Sequence, residues 1–148
     1  MKDRIYNSED ELLSHAKKLH GKSLFDLHGH KSKKKYGGKG GFGNKVEEVH
    51  YGIKNNNRSV PDVENLGIEI KTNPLKINKN GVVPAERISL AMINFSSIRD
   101  EKFESSSFIK KNKSILYNMF LRDRSLNDYN IKFILVDLIS LEGKDLDV

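Results

Sequence analysis

Apolar positions recur at helical spacing near the start of the chain. Leu12, Leu13, Ala16 and Leu19 fall on one face of residues 8–20, the stripe of an amphipathic helix. Ser8, with Glu11 three residues on, predicts a capping box at its start, and Gly21 a stop at its end. Residues 23–27 predict a short connecting element. Residues 43–51 follow a run of glycines and predict a second helix, carrying Glu47 and Glu48 and closed by Gly52. The period then changes. Ile68, Glu69, Ile70 and Lys71 alternate apolar and charged, as in a half-buried strand. Glu69 and Lys71 therefore share one face, and Ile68 and Ile70 point the other way into a core. Gly67 and Pro74 bound this strand. Residues 76–81 (KINKNG) predict a hairpin turn at Asn80-Gly81. Residues 86–95 (ERISLAMINF) fit a buried strand or a short helix equally. Residues 99–112 are polar. Residues 114–120 (SILYNMF) and 131–139 (IKFILVDLI) predict further strands, the last being the strongest in the chain. Helices early and strands late predict a mixed α/β domain with a central mixed sheet.

A chain of 148 residues fits one domain. With 31% charged and 36% hydrophobic residues it reads as a polar, soluble domain. The net charge of +6 and a pI near 9.4 favour a polyanionic partner. The absence of cysteine excludes disulfides and thiolate metal sites and fits a reducing, cytoplasmic location. The N-terminus lacks the apolar core of a signal peptide, and no apolar run approaches the roughly 20 residues of a membrane span.

The basic residues cluster. Residues 28–41 (HGHKSKKKYGGKGG) predict a flexible loop in which Lys31, Lys33, Lys34, Lys35 and Lys39 suit phosphate contacts and Tyr36 suits stacking. His28 and His30 are candidate metal ligands, although two histidines without a third partner read more simply as solvated side chains. Lys110, Lys111 and Lys113 form a second basic group. Residues 54–59 (KNNNRS) predict a polar loop leading towards Asp62.

Asp62, Glu69 and Lys71 carry the candidate chemistry. A hard divalent cation such as Mg2+ takes oxygen ligands, and Asp62 and Glu69 supply them, with a backbone carbonyl near Ile70 as a third. Such a cation polarises a phosphoryl oxygen and acidifies a water, and Lys71 suits orienting that water or balancing transition-state charge. The spacing alone is weak evidence, since about half of all chains this long would match it by chance.

The surroundings sharpen it. The run KGGFGNKVEEVHYG, then PDVENLGIEIKTNPLK, ERISLAMINF and FESSSFIKKNKSILY resembles, block by ordered block, the MutH family. That family contains the mismatch-repair endonuclease MutH and type II restriction endonucleases that cut at GATC, and it belongs to the PD-(D/E)xK nuclease superfamily. The resemblance implies a restriction-endonuclease-like core, a central mixed β-sheet flanked by helices. It implies that Asp62 and Glu69 bind metal and that Lys71 is catalytic. It places an upstream helical glutamate at Glu47 or Glu48. Counting forward from Gly43 favours Glu47, the preferred choice, and counting back from Gly52 favours Glu48, so the helix holds one extra residue. It places a second lysine at Lys111.

The expected function is a Mg2+-dependent endonuclease acting on double-stranded DNA, of the type II restriction class and directed to GATC, with Mn2+ as a substitute cation. Lys33, Lys34, Lys35, Lys39, Lys110, Lys111 and Lys113 are expected DNA contacts. A junction resolvase of the same superfamily and a non-catalytic basic binding module are the alternatives. Relatives continue beyond the strand at residues 131–139, so the chain is expected to be a catalytic domain, residues 1–148, truncated at its C-terminus. Its partners are then a C-terminal domain or a second copy, with no membrane.

Overall fold

A computed structural model of the chain describes residues 3–30, 40–55, 57–90 and 95–146. The first helix, α1 (Glu9–Ala16), runs on as a 3-10 turn to Leu19. Ser8 Oγ accepts the Glu11 N–H at 3.1 Å. The Glu11 carboxylate reaches back to the Asn7 N–H at 2.9 Å, so the return arm of the expected box lands one residue earlier. The complete box belongs to α2 (Leu24–His28), formed by the segment read as a connector. There the Asp26 N–H donates to Ser23 Oγ at 3.2 Å and the Ser23 N–H to Asp26 Oδ2 at 2.8 Å. The next helix, α3 (Gly41–Val46), starts two residues before residue 43, because Gly40 enters it at φ +91°. It widens into a π turn, Glu47–Tyr51, closed by Gly52 at φ +68°.

Four strands follow: β1 (Ile68–Asn78), β2 (Gly81–Pro84), β3 (Ser114–Leu121) and β4 (Phe133–Ser140), in the spatial order β2-β1-β3-β4. β1 is antiparallel to β2 and parallel to β3, and β3 is antiparallel to β4, so the sheet is mixed. The long crossover from β2 to β3 contains α4 (Ser107–Asn112), with Ser106 Oγ accepting the Ile109 N–H. This helix sits inside the stretch read only as polar. The fold is thus α/β, a mixed sheet with flanking helices, of the restriction-endonuclease-like type.

Three strand expectations are corrected. Pro74 does not end β1. Its carbonyl accepts the Ala85 N–H on the β2 side, where β2 pairs only from Leu75 onwards. In a strand N–H and C=O of one residue face the same way, so the missing N–H lies at the end of the hairpin ladder and forgoes only the return bond to Ala85. The hairpin loop is Lys79-Asn80 rather than Asn80-Gly81, since Gly81 already pairs with Asn78. Asn78 Oδ1 accepts the Asn80 N–H at 2.8 Å, and Gly81 takes φ +103°. Residues 86–90 form neither strand nor helix, and residues 91–94 lie outside the described part.

The two faces of the sheet differ. By register Ile68, Ile70, Leu116, Asn118, Phe120 and Val136 share one face. They pack with Tyr6, Leu12, Ala16, Leu19, Val46 and Tyr51 into the core. The opposite face carries Glu69, Lys71 and Asn73 beside Ile115, Tyr117 and Met119. β4 is an edge strand, with Leu135 44% and Ile139 52% exposed despite its apolar sequence.

Burial separates the two caps. Ser23 is 3% exposed, whereas the Ser8 cap is on the surface. Ser23→Ala is expected to cost about 1–2 kcal/mol of unfolding free energy and Ser8→Ala about half that or less. Urea denaturation of the two variants reads the difference, and equal costs would contradict it.

Candidate active site

The hairpin leaves part of β1 with an open edge. β2 covers only Leu75–Asn78, so among the described residues the stretch 68–74 has β3 on one side and no strand on the other. Chain just before β1 folds back along this edge. Val63 and Ile68 exchange backbone bonds at 2.9 and 3.3 Å, the turn between them closing through Gly67 at φ +66°. One residue earlier, Asp62 Oδ2 accepts the Ile70 N–H at 2.9 Å. The Ile70 carbonyl faces the same open edge as its N–H, because a strand residue presents both to one side. Asp62 and the Ile70 carbonyl are thereby held next to each other by backbone geometry.

Glu69 and Lys71 share a face, as their spacing predicts. Lys71 Nζ donates to Glu69 Oε1 at 2.9 Å. Lys111 reaches the same oxygen from α4, its Nζ at 3.7 Å, and also approaches the Arg58 carbonyl at 3.5 Å. Glu69 is only 3% exposed. Both lysines engage Oε1, and Oε2 is buried without a hydrogen-bond partner among the described residues. An orphaned carboxylate oxygen in a buried site is costly. Its presence beside other oxygen donors fits a place where a hard cation sits.

The third carboxyl comes from the π turn. Burial, and then the charges of Asp62 and Glu69, push the Glu47 carboxyl up to about 8, while Lys71 pulls it down. Burial and the Glu69 charge push Asp62 up to about 6, against the Ile70 N–H bond, Lys111 and Lys71. Three carboxyls are therefore close enough to resist ionising together. Asp62 and Glu69 both oppose the ionisation of Glu47. The forward and backward counts across this helix differ by one residue, and a π turn takes up one residue more than an α turn.

The other expected positions lie apart from this cluster. Lys110 and Lys113 are exposed at the end of α4, while Lys111 between them turns inward. Lys31, Lys33, Lys34, Lys35, Lys39 and Tyr36 lie outside the described residues. His28 is not simply solvated: its Nε2 is 2.9 Å from His50 Nδ1. His50 Nε2 lies 3.1 Å from the His15 carbonyl. A carbonyl only accepts, so Nε2 carries the proton of His50, and Nδ1 accepts from His28. Burial holds His50 down at about 3 and His15 at about 4. His30 packs against the rings of Phe25 and Tyr129. Among the described residues no group of three or more His, Asp or Glu side chains is arranged as a ready-made metal cage. Sequence reading overlooked His15, His50, Tyr51 and Asn118. They are spread over more than a hundred positions without any period, and only the fold brings them together.

The mixed sheet with its open-edged β1 and carboxylate–lysine cluster defines a restriction-endonuclease-like domain. A family model described as "DNA mismatch repair enzyme MutH" matches residues 51–148, and the chain belongs to the MutH family. It is also similar to the type II restriction enzyme Sau3AI of Staphylococcus aureus, 36% identical over 111 residues, which cover 74% of this chain and 22% of that protein. The chain thus spans about a fifth of the length of that relative. No helix among the described residues is long and apolar enough to cross a membrane.

These ionisations set a stability profile. His15 and His50 are depressed, so their contribution is present above the unfolded histidine value near 6.5 and is lost as pH falls towards about 4 and 3. Glu47 and Asp62 are raised, so their contribution is present at low pH and is lost as pH rises through about 8 and 6. The two pairs oppose each other between about pH 4.5 and 6, and above 6.5 Glu47 dominates. Without divalent cations, stability should fall from pH 6.5 to 8 with a slope approaching 1.4 kcal/mol per unit, roughly the value of one proton. Glu47→Gln should flatten that limb in a urea series at each pH; an unchanged slope would contradict the buried, crowded carboxyl.

Proposed function

We propose that this chain is the catalytic part of a divalent-cation-dependent DNA endonuclease that hydrolyses phosphodiester bonds. The finer reading is a type II restriction-type enzyme of the cytoplasm, cutting double-stranded DNA at GATC, with Mg2+ as working cation and Mn2+ as substitute. The convergence of Asp62, Glu69 and Glu47 on Lys71 and Lys111, within the MutH family, carries this reading.

The donor set fits the cation. Asp62 and Glu69 would hold it with the Ile70 carbonyl, all hard oxygens. When bound, the cation would polarise the scissile phosphoryl group and acidify the attacking water. With the cation bound, Glu47 and Asp62 would be able to ionise together, which their mutual repulsion otherwise opposes. Asp62 stays oriented by the Ile70 N–H. Lys71, paired here with Glu69 Oε1, would be released by the cation and would then orient the water and offset negative charge growing on the phosphoryl oxygens. Lys111 approaches from the α4 side and meets the phosphate from a second direction.

DNA contacts are assigned to both basic groups. Lys110 and Lys113 flank Lys111 on the exposed end of α4, in reach of phosphates next to the cut. Lys33, Lys34, Lys35 and Lys39 belong to the lysine- and glycine-rich stretch of sequence before α3, outside the described residues. Such contacts position a duplex, while contacts to base edges specify the site. Further base contacts would come from a C-terminal domain or a second copy.

The test is plasmid cleavage. Cutting is expected with Mg2+ or Mn2+ and none in EDTA, with Ca2+ supporting binding but little chemistry. Lys71→Ala should keep fold and DNA binding and lose at least about 100-fold in rate. Sequenced ends should map to GATC when a C-terminal segment supplies the further base contacts, and should show poor preference for GATC from these residues alone. Robust cleavage in EDTA, or parental cleavage by Lys71→Ala, would overturn the proposal.

A further inference from the structure

A buried polar bridge joins the two elements that carry the proposed chemistry. Tyr51 and Asn118 are both 0% exposed. The Tyr51 hydroxyl donates to Asn118 Oδ1 at 2.6 Å. Asn118 lies on the core face at the centre of β3, beside Thr72 of β1, and its Nδ2 is directed at the Lys71 carbonyl at 3.5 Å. Tyr51 belongs to the π turn that begins with Glu47. It is fixed at its other end too, since its own carbonyl accepts the Tyr6 hydroxyl at 3.0 Å. The chain of contacts runs from the Glu47 turn, through phenol and amide, to the peptide of Lys71.

Stability alone does not account for such a pair. The surrounding core is apolar: Ile70, Leu116, Phe120 and Val136 lie on the same face. Replacing both partners of a buried hydrogen bond by apolar groups of similar shape is often neutral or stabilising, whereas removing one partner strands the other. The bridge does supply register. α3 packs against β1 on this face: a side chain at Gly43 would meet Thr72 Cβ at 3.9 Å. Apolar packing of that kind tolerates small slides. A short hydrogen bond between fully buried atoms fixes one position, and π turns are frequent where a helix must aim a functional side chain.

We propose that Tyr51 and Asn118 are positioning residues, a buried bridge that holds the Glu47-bearing turn in register with the Glu69–Lys71 strand. The inference rests on the reading of that cluster as a divalent-cation site for DNA hydrolysis. Neither residue touches substrate. Loss of the bridge loosens the spacing between the Glu47 carboxyl and the carboxylates on the β1 side, so it weakens cation binding and slows the chemical step, while DNA binding through surface lysines is untouched.

The experiment compares the parent chain with Tyr51→Phe, Asn118→Leu and the double variant. It reads Mn2+ affinity by calorimetry, Mn2+-dependent cleavage rate, DNA binding in Ca2+ and unfolding free energy. The double variant should recover much of the stability that Tyr51→Phe loses, yet bind Mn2+ and cleave about 10- to 100-fold less well, the range typical for groups that orient metal ligands. DNA binding should not change. A merely structural role predicts the opposite pattern, with function recovering alongside stability. A double variant with parental Mn2+ affinity and rate overturns the inference alone. If the double variant does not fold, Tyr51→Phe decides: parental affinity and rate in its folded fraction overturn the inference. A parent chain that neither binds Mn2+ nor cleaves DNA removes the cation-site reading, and the inference with it.

Discussion

One bond, the Asp62 carboxylate on the Ile70 N–H, sets the frame of the candidate site. It forms because the sheet leaves a gap. β2 pairs with the far end of β1 only, and the backbone groups of the near end would otherwise lack partners. The Val63–Ile68 bridge fills one position of that edge and Asp62 fills the next. A strand edge that needs covering is thus covered by a carboxylate, and the same backbone geometry turns the Ile70 carbonyl towards it. Glu69, one residue before Ile70 and on the opposite face from the core, completes the approach.

Electrostatics then sets the character of the place. Three carboxyls gather in a partly dry site with two lysines, and both lysines lean on one oxygen of Glu69. The remaining oxygen has no hydrogen-bond partner among the described residues, and Glu47 is held protonated around neutral pH. Such an arrangement is poor for the stability of the isolated domain. A cation entering there would reverse this, because the same repulsion that raises Glu47 and Asp62 would become attraction for positive charge. The buried histidines on the other side of the π turn pull the pH dependence the opposite way. His50 must stay neutral to accept from His28 while donating to the His15 carbonyl.

Much of this was legible in the sequence, for identifiable reasons. Alternation gave the Glu69–Lys71 face and the Ile68–Ile70 core face, because period two is a local property of strands. Capping chemistry gave α1, although Glu11 closes on Asn7. Local signals misled where tertiary pairing overrode them. Pro74 looked like a strand end, but its missing donor faces β2 just past the end of the hairpin ladder. The hairpin was placed one residue late, since Gly81 serves as the left-handed residue after the loop rather than within it. α4 was hidden by its polar, serine-rich flanks, and Lys111 was distinguishable from Lys110 and Lys113 only through the family resemblance. The one-residue uncertainty between Glu47 and Glu48 has a physical source in the π turn. The links from His28 to His50 and from Tyr51 to Asn118 left no pattern to read, because each joins positions that only the fold makes neighbours.

The central claim is that Asp62, Glu69 and the Ile70 carbonyl form one cation site at the open edge of β1. Anomalous diffraction from crystals of this chain soaked in Mn2+ tests it most directly. The account predicts a peak in contact with the Asp62 and Glu69 carboxylates and the Ile70 carbonyl, with Lys71 Nζ moved off Glu69 Oε1. A fully occupied Mn2+ elsewhere, with the Lys71–Glu69 pair intact and no density at that edge, would contradict it.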